Sequence, residues 1–214
     1  MASIETDRLI RDLSGEAGAR RGFGGVESGR FFAVTVALAM AASIGVILLG
    51  VGARPHIGLL VRTTPFLFKI ACTLSLVVAG IILARRAALP DRRAPTALLL
   101  VPSVLLLAVG AVSDTSGLPL TGHSSLSVLH CVTAILLASV PALLLILSVL
   151  RTGAPVRPGL TGGIAGLLAG ALGASAYTIG CVNDGRTFVA LWYSIAILIV
   201  TAAGAAIGRR VLAW

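Results

Sequence analysis

Two thiols stand at the edges of long apolar runs. Cys131, in "SVLHCVTAILL", opens one run, and Cys181, in "YTIGCVNDGR", closes another 50 residues later. Brought together, two such thiols have two chemistries open to them. They form a disulfide if their Cα atoms come within about 7 Å. They bind a soft cation if other donors complete the shell, and His130, His123 and Asp184 are the nearest donors in sequence. The remaining reading is two unrelated cysteines at an interface. Cys72 lies inside an apolar run and reads as a small apolar filler. The chain has no CxxC, no HExxH and no phosphate-cradling glycine loop. No catalytic residue is assigned, and an enzyme is not expected.

The elements that must position these thiols follow from composition. Of 214 residues, 57% are apolar and 12% charged, with a mean hydropathy of +1.02. A soluble domain is nearer half apolar and a quarter charged. Unpaired backbone is too costly in hydrocarbon for anything but helices or closed barrels, and a helical crossing needs about 20 apolar residues. The expectation is an all-α integral membrane protein with six transmembrane helices, at about 31–52, 64–84, 96–113, 128–150, 160–180 and 188–208. The third run is the shortest and carries Pro102; the fourth carries Pro141; both are places for a kink. Residues 31–214 then form one transmembrane domain. Residues 1–30 form a segment too short to bury a core of its own. The opening "MASIETDRLIRDLSGE" is polar and charged, unlike the basic stretch and short apolar core of a cleavable signal.

A net charge of +9 would suggest nucleic acid in a soluble protein. Here the arginines lie between the apolar runs and report topology instead, so no direct nucleic-acid contact is expected. With both termini cytoplasmic, thirteen arginines fall inside and three outside, the bias that orients membrane proteins. Phe188, Trp192 and Tyr193 then fall at the outer end of the last helix, as interfacial aromatics would. Cys131, Cys181, His123, His130, Asp114 and Asp184 also face outward, into the oxidising periplasm if the source is bacterial.

Lys69 is the lone ionisable residue inside a run, and its stem is expected to snorkel outward. Ion-coupled transport usually uses several buried charges. A small transporter therefore stands as an alternative function, beside a thiol-redox membrane protein. Gly162, Gly166 and Gly170, with Gly204 and Gly208, make GxxxG steps that let helices approach closely. Packing within one chain is the expectation, with a homodimer seam as the alternative. In "SIETDRLIRDL", Ser3 can cap a helix and Glu5 and Asp7 suit its N-terminal end, while Leu9, Ile10 and Leu13 gather on one side. Two turns are marginal alone in water. The segment reads either as one that folds in a partner's groove or as a frayed tail.

Three blocks carry a resemblance to the NrsF-type bacterial membrane anti-sigma factors. They are "TDRLIRDL", the long block "HCVTAILLASVPALLLILSVLRTGAPVRPGLTGGIAGLLAGALGASAYTIGC", and the tail "FVALWYSIAILIVTAAGAAIGRRVLAW". The resemblance implies a multi-pass protein of the inner (cytoplasmic) membrane whose cytoplasmic face holds an extracytoplasmic-function sigma factor away from RNA polymerase. It implies that an outward-facing cysteine pair, here Cys131 and Cys181, senses heavy metal or oxidative stress. No constitutive cofactor is implied; a soft metal ion would act as a signal. Arg8 and Arg11 are then expected to steer the sigma factor, and Leu9, Ile10 and Leu13 to anchor it. Linking helices four and five at the thiols is expected to shift the loop "RTGAPVRPG" between them and release the sigma factor.

Overall fold

The computed structural model describes residues 6–8, 10–11, 26–55, 58, 62–88, 97–114, 117–122, 126–153, 155 and 157–213. All regular structure among them is helical. The main helices are α1 (Val26–Gly50), α2 (Thr64–Ala87), α3 (Val101–Val112), α4 (Ser127–Arg151), α5 (Pro158–Tyr177) and α6 (Arg186–Val211). Five are long and apolar enough to cross a membrane: Gly29–Gly50 within α1, and all of α2, α4, α5 and α6. The third expected span is different. A 3₁₀ turn, Ala97–Leu100, leads into an α3 of only 12 residues, about 18 Å of α-helix. Pro102 is the cause on offer. It sits in the first turn of α3, where its missing N–H and its ring interrupt the i−4 bonding to the preceding turn.

Three other prolines open helices or are absorbed in one. Pro65 and Pro158 occupy first turns of α2 and α5, where a missing N–H costs nothing. Pro141 lies inside an uninterrupted α4. At the opposite ends, Arg85 and Arg86, Arg151, and Arg209 and Arg210 stand in the last turns of α2, α4 and α6. Their charges suit the negative ends of those helix dipoles.

Helix α5 is the hub, packed against α1, α2, α4 and α6. Of its most apolar window, 72% is buried inside the protein, against 28% for α1. Its glycines explain the difference. A Cβ on Gly162 would run into the Gly204 carbonyl and the Gly208 backbone, and one on Gly166 into the Val200 carbonyl. Gly204 and Gly208 are blocked in turn by Gly162 and Gly166 or their neighbours. Gly173 approaches α4 in the same way, against Ser139 and the Ile135 carbonyl. The glycine faces are therefore consumed within one chain, as expected, rather than presented to a second copy. Hydroxyls tie other pairs: Ser43 donates to the Ala138 carbonyl at 2.8 Å, joining α1 to α4, and Ser75 meets Ser103 at 2.9 Å, joining α2 to α3.

Candidate functional site

The C-terminal end of α5 and the N-terminal ends of α2, α4 and α6 meet at one end of the bundle. There α5 closes in a tight turn. The Cys181 and Gly180 amides both donate to the Tyr177 carbonyl, at 2.9 and 3.0 Å, and the Thr178 hydroxyl donates to the Ser175 carbonyl at 2.6 Å. The turn folds Cys181 back into the bundle. Both Cys131 and Cys181 are 0% exposed, and both are free thiols. Tyr177 is buried in the same core cluster as both. Tyr193 packs its ring 5.9 Å from that of Tyr177. Its buried hydroxyl, beside Cys181, has no hydrogen-bond partner among the described residues.

An ion-pair cluster adjoins the thiols. Lys69, from α2, is 1% exposed. Its ammonium lies 2.9 Å from Asp184 Oδ1 and 3.6 Å from Cys181 Sγ. Arg54, from the loop after α1, grips the same carboxylate in a fork, with both bonds at 2.9 Å. It also donates to the Cys181 carbonyl at 3.3 Å. Burial alone would push the Asp184 carboxyl up, but the hydrogen bonds from Arg54 and Lys69 outweigh it and hold the group below the usual carboxylate range. The hydrogen bond to Asp184 likewise raises Arg54 further above its ordinary value. Lys69 thus does not snorkel to the surface as expected. Asp184 draws it into a closed site, where the carboxylate and a sulfur replace water.

The other residues expected at the outer face scatter. His130 is exposed on α4 beside the buried Cys131. His123 lies outside the described residues. Asp114 accepts from the Thr187 amide at 2.7 Å and so caps α6. Among the described residues, no three His, Cys, Asp or Glu side chains gather closely enough to hold a metal. The described donors fit a soft cation poorly: two sulfurs, a carboxylate already shared by two cations, and an ammonium close to one sulfur, which repels an incoming positive ion. Phe188 and Tyr193 differ from expectation too. Each is 2% exposed and belongs to the core. Only Trp192 keeps an interfacial habit, half-buried and donating to the Leu120 carbonyl at 2.8 Å.

With two free thiols buried together in a helical, membrane-type bundle, the comparison with known proteins becomes decisive. The family described as "NrsF: Negative regulator of sigma F" matches residues 24–214. The chain belongs to the NrsF family. It is 31% identical over 220 residues to the Anti-sigma-F factor NrsF of Caulobacter vibrioides, covering 99% of this chain and 100% of that one. It is 39% identical over 84 residues to the Probable anti-sigma-F factor NrsF of Azospira oryzae, covering 39% of each. No solved structure matches. In this NrsF family member the N-terminal segment precedes the matched region. Thr6–Arg8, Ile10 and Arg11 are helical, Arg8, Ile10 and Arg11 are exposed, and Arg11 Nε donates to the Asp7 carbonyl at 3.3 Å. Leu9 and Leu13 lie outside the described residues.

Proposed function

We propose that this protein is a membrane anti-sigma factor of the bacterial inner (cytoplasmic) membrane. In this reading it crosses six times with both termini in the cytoplasm. Its cytoplasmic face holds an extracytoplasmic-function sigma factor, and Cys131 and Cys181 govern release under oxidative or heavy-metal stress. The 3₁₀ turn and α3 together run to about 26 Å, enough for a short sixth crossing of a core near 30 Å. The arginine bias supports the orientation. The observation that carries the sensor reading is the buried thiol pair, contributed by α4 and by the turn that ends α5 to one apolar core.

Of the two stimuli, the surroundings favour oxidation. Two thiols joining as a disulfide lose two protons and two electrons to a diffusible oxidant, and the product is neutral. It does not compete with the Lys69 ammonium, whereas a cation does. The N-terminal segment supplies the cytoplasmic grip, with Arg8 and Arg11 steering and Leu9, Ile10 and Leu13 docking as one apolar face. A tenfold change in sigma occupancy at low saturation needs only about 1.4 kcal/mol. The test is a pull-down of the detergent-solubilised protein from its host, with mass spectrometry of soluble partners, repeated without residues 1–28. A sigma factor that is enriched with the full chain and lost with the truncation is the expected result. No sigma factor in either sample sinks the proposal.

A further inference from the structure

Given the sensor reading above, we infer that the state of Cys181 leaves the site through Arg54 and α1, not through the loop joining α4 to α5. Arg54 is the only described side chain that holds both the Cys181 carbonyl and the Asp184 carboxylate, at 3.3 and 2.9 Å. Its own amide donates to the Ile179 carbonyl at 3.0 Å. The contact is close at the backbone as well. A Cβ on Gly180 would sit 3.0 Å from the Gly52 carbonyl. Gly52 itself has φ +84°, a conformation that glycine adopts without strain. It lets the chain turn out of α1, where the Val51 and Gly52 amides close on the Ile47 carbonyl at 2.8 and 2.9 Å. Four residues beyond the end of α1, the chain is thus stapled to both sides of Cys181.

The two exits differ in how freely they move. Helix α5 is locked to α6 by backbone contact at Gly162, Gly166, Gly204 and Gly208. Packing that close has no slack, so shifting its far end means separating two backbones. Helix α1 has the least buried apolar window of the five long helices. A side-chain hydrogen bond from Ser43 ties its body to α4. Low burial marks the element that moves most cheaply. The same helix leads directly back to the N-terminal segment. Joining Cys181 to Cys131 draws the 181–184 loop toward α4, and the Arg54 staple must then stretch or carry the end of α1 with it.

The experiment uses the full chain in nanodiscs with its captured sigma factor, the thiol oxidant diamide as probe, and Arg54→Gln and Arg54→Lys as variants. Lysine keeps the charge beside Asp184 but loses the fork. Hydrogen exchange of residues 51–55 reads the staple directly. The expected result in the wild type is at least tenfold faster exchange there on adding diamide, together with sigma release. Arg54→Gln should hold sigma at least tenfold more weakly before any oxidant and respond little to it, with Arg54→Lys between. If the wild type releases sigma while residues 51–55 keep their protection, or if both variants retain and release as the wild type does, the α1 route is wrong and the sensor reading survives. If the wild type does not respond to diamide at all, both fall.

Discussion

Replacing Asp184 by asparagine tests whether the ion-pair cluster is a structural necessity or an ornament. Lys69 is 1% exposed and its ammonium depends on Asp184 Oδ1 at 2.9 Å. Removing one partner of a buried pair costs about 3–5 kcal/mol, because the other charge is left in low dielectric. The Asp184 side chain keeps 30% of its exposure, and asparagine still offers one acceptor, so the low end, about 3 kcal/mol, is expected. Lys69→Met is different in kind. It removes the charge that needed compensation and leaves Asp184 forked by Arg54, so its cost should be near zero. The double variant should then recover about 2 kcal/mol of what Asp184→Asn lost, a coupling readable in a double-mutant cycle. The assay is unfolding in mixed micelles by titration with dodecyl sulfate, followed through tryptophan fluorescence at neutral pH. Acid supplies an independent check. The folded carboxyl titrates below its ordinary value of 3.8, so its stabilisation is complete above that value and is lost as pH falls through the depressed one. The wild type should therefore lose stability in that acid window more steeply than Asp184→Asn. Asp184→Asn within 0.5 kcal/mol of wild type, a threshold set by the usual scatter of surface substitutions, would refute the reasoning, as would Lys69→Met costing as much as Asp184→Asn.

Gly204→Ala should destabilise the bundle by about 1–3 kcal/mol, because its methyl meets the Gly162 carbonyl and Gly166 backbone. Gly163→Ala, next to Gly162 on α5 but with its nearest neighbour at 3.5 Å, should be nearly neutral in the same unfolding assay. Serine at Cys131 or Cys181 should leave membrane insertion and sigma retention intact while abolishing the response to diamide; normal release from the double variant in a sigma-retention assay would remove the thiols from the mechanism. Alanine at Leu9, Ile10 and Leu13 together should weaken sigma binding at least tenfold by surface plasmon resonance, and unchanged affinity would move the docking face elsewhere.

Much of this arrangement was legible before folding. Apolar runs of 20 residues in hydrocarbon have one sensible backbone, so five long helices followed from length alone. The third run lies where expected but makes a shorter element, because hydropathy counts residues and ignores how Pro102 spends them: four of its positions went into a 3₁₀ turn. The thiols were visible as a pair because each marks the end of a run. Lys69 and Asp184 were visible only singly. Their pairing across 115 residues leaves no local trace, since neither periodicity nor spacing encodes a long-range ion pair. One signal did exist: a lone cation within an apolar helix and an anion just outside another are opposite charges short of partners. Arg54 had no such mark, because a loop arginine looks like topology until its fork is seen. Phe188 and Tyr193 were misplaced for a related reason. Aromatics near a helix end suit the interface or the core equally well, and only the neighbouring helices decide.

The central position of α5 also constrains how the molecule is made. Its apolar window has a mean hydropathy of 1.4, the lowest of the five long helices, against 2.5 for α1 and α4. Glycine gives it close contact but little affinity for lipid. The helix needed most in the middle is thus the one least able to settle in a bilayer alone, and it is synthesised after the four main helices that precede it. Until α5 and α6 arrive, Lys69 lacks Asp184 and faces its surroundings unpaired. Biogenesis then resembles the setting of a keystone: earlier helices wait around an open groove, and the C-terminal hairpin closes it. A chain interrupted before Asp184 would carry the Lys69 ammonium on an apolar helix with its carboxylate partner missing.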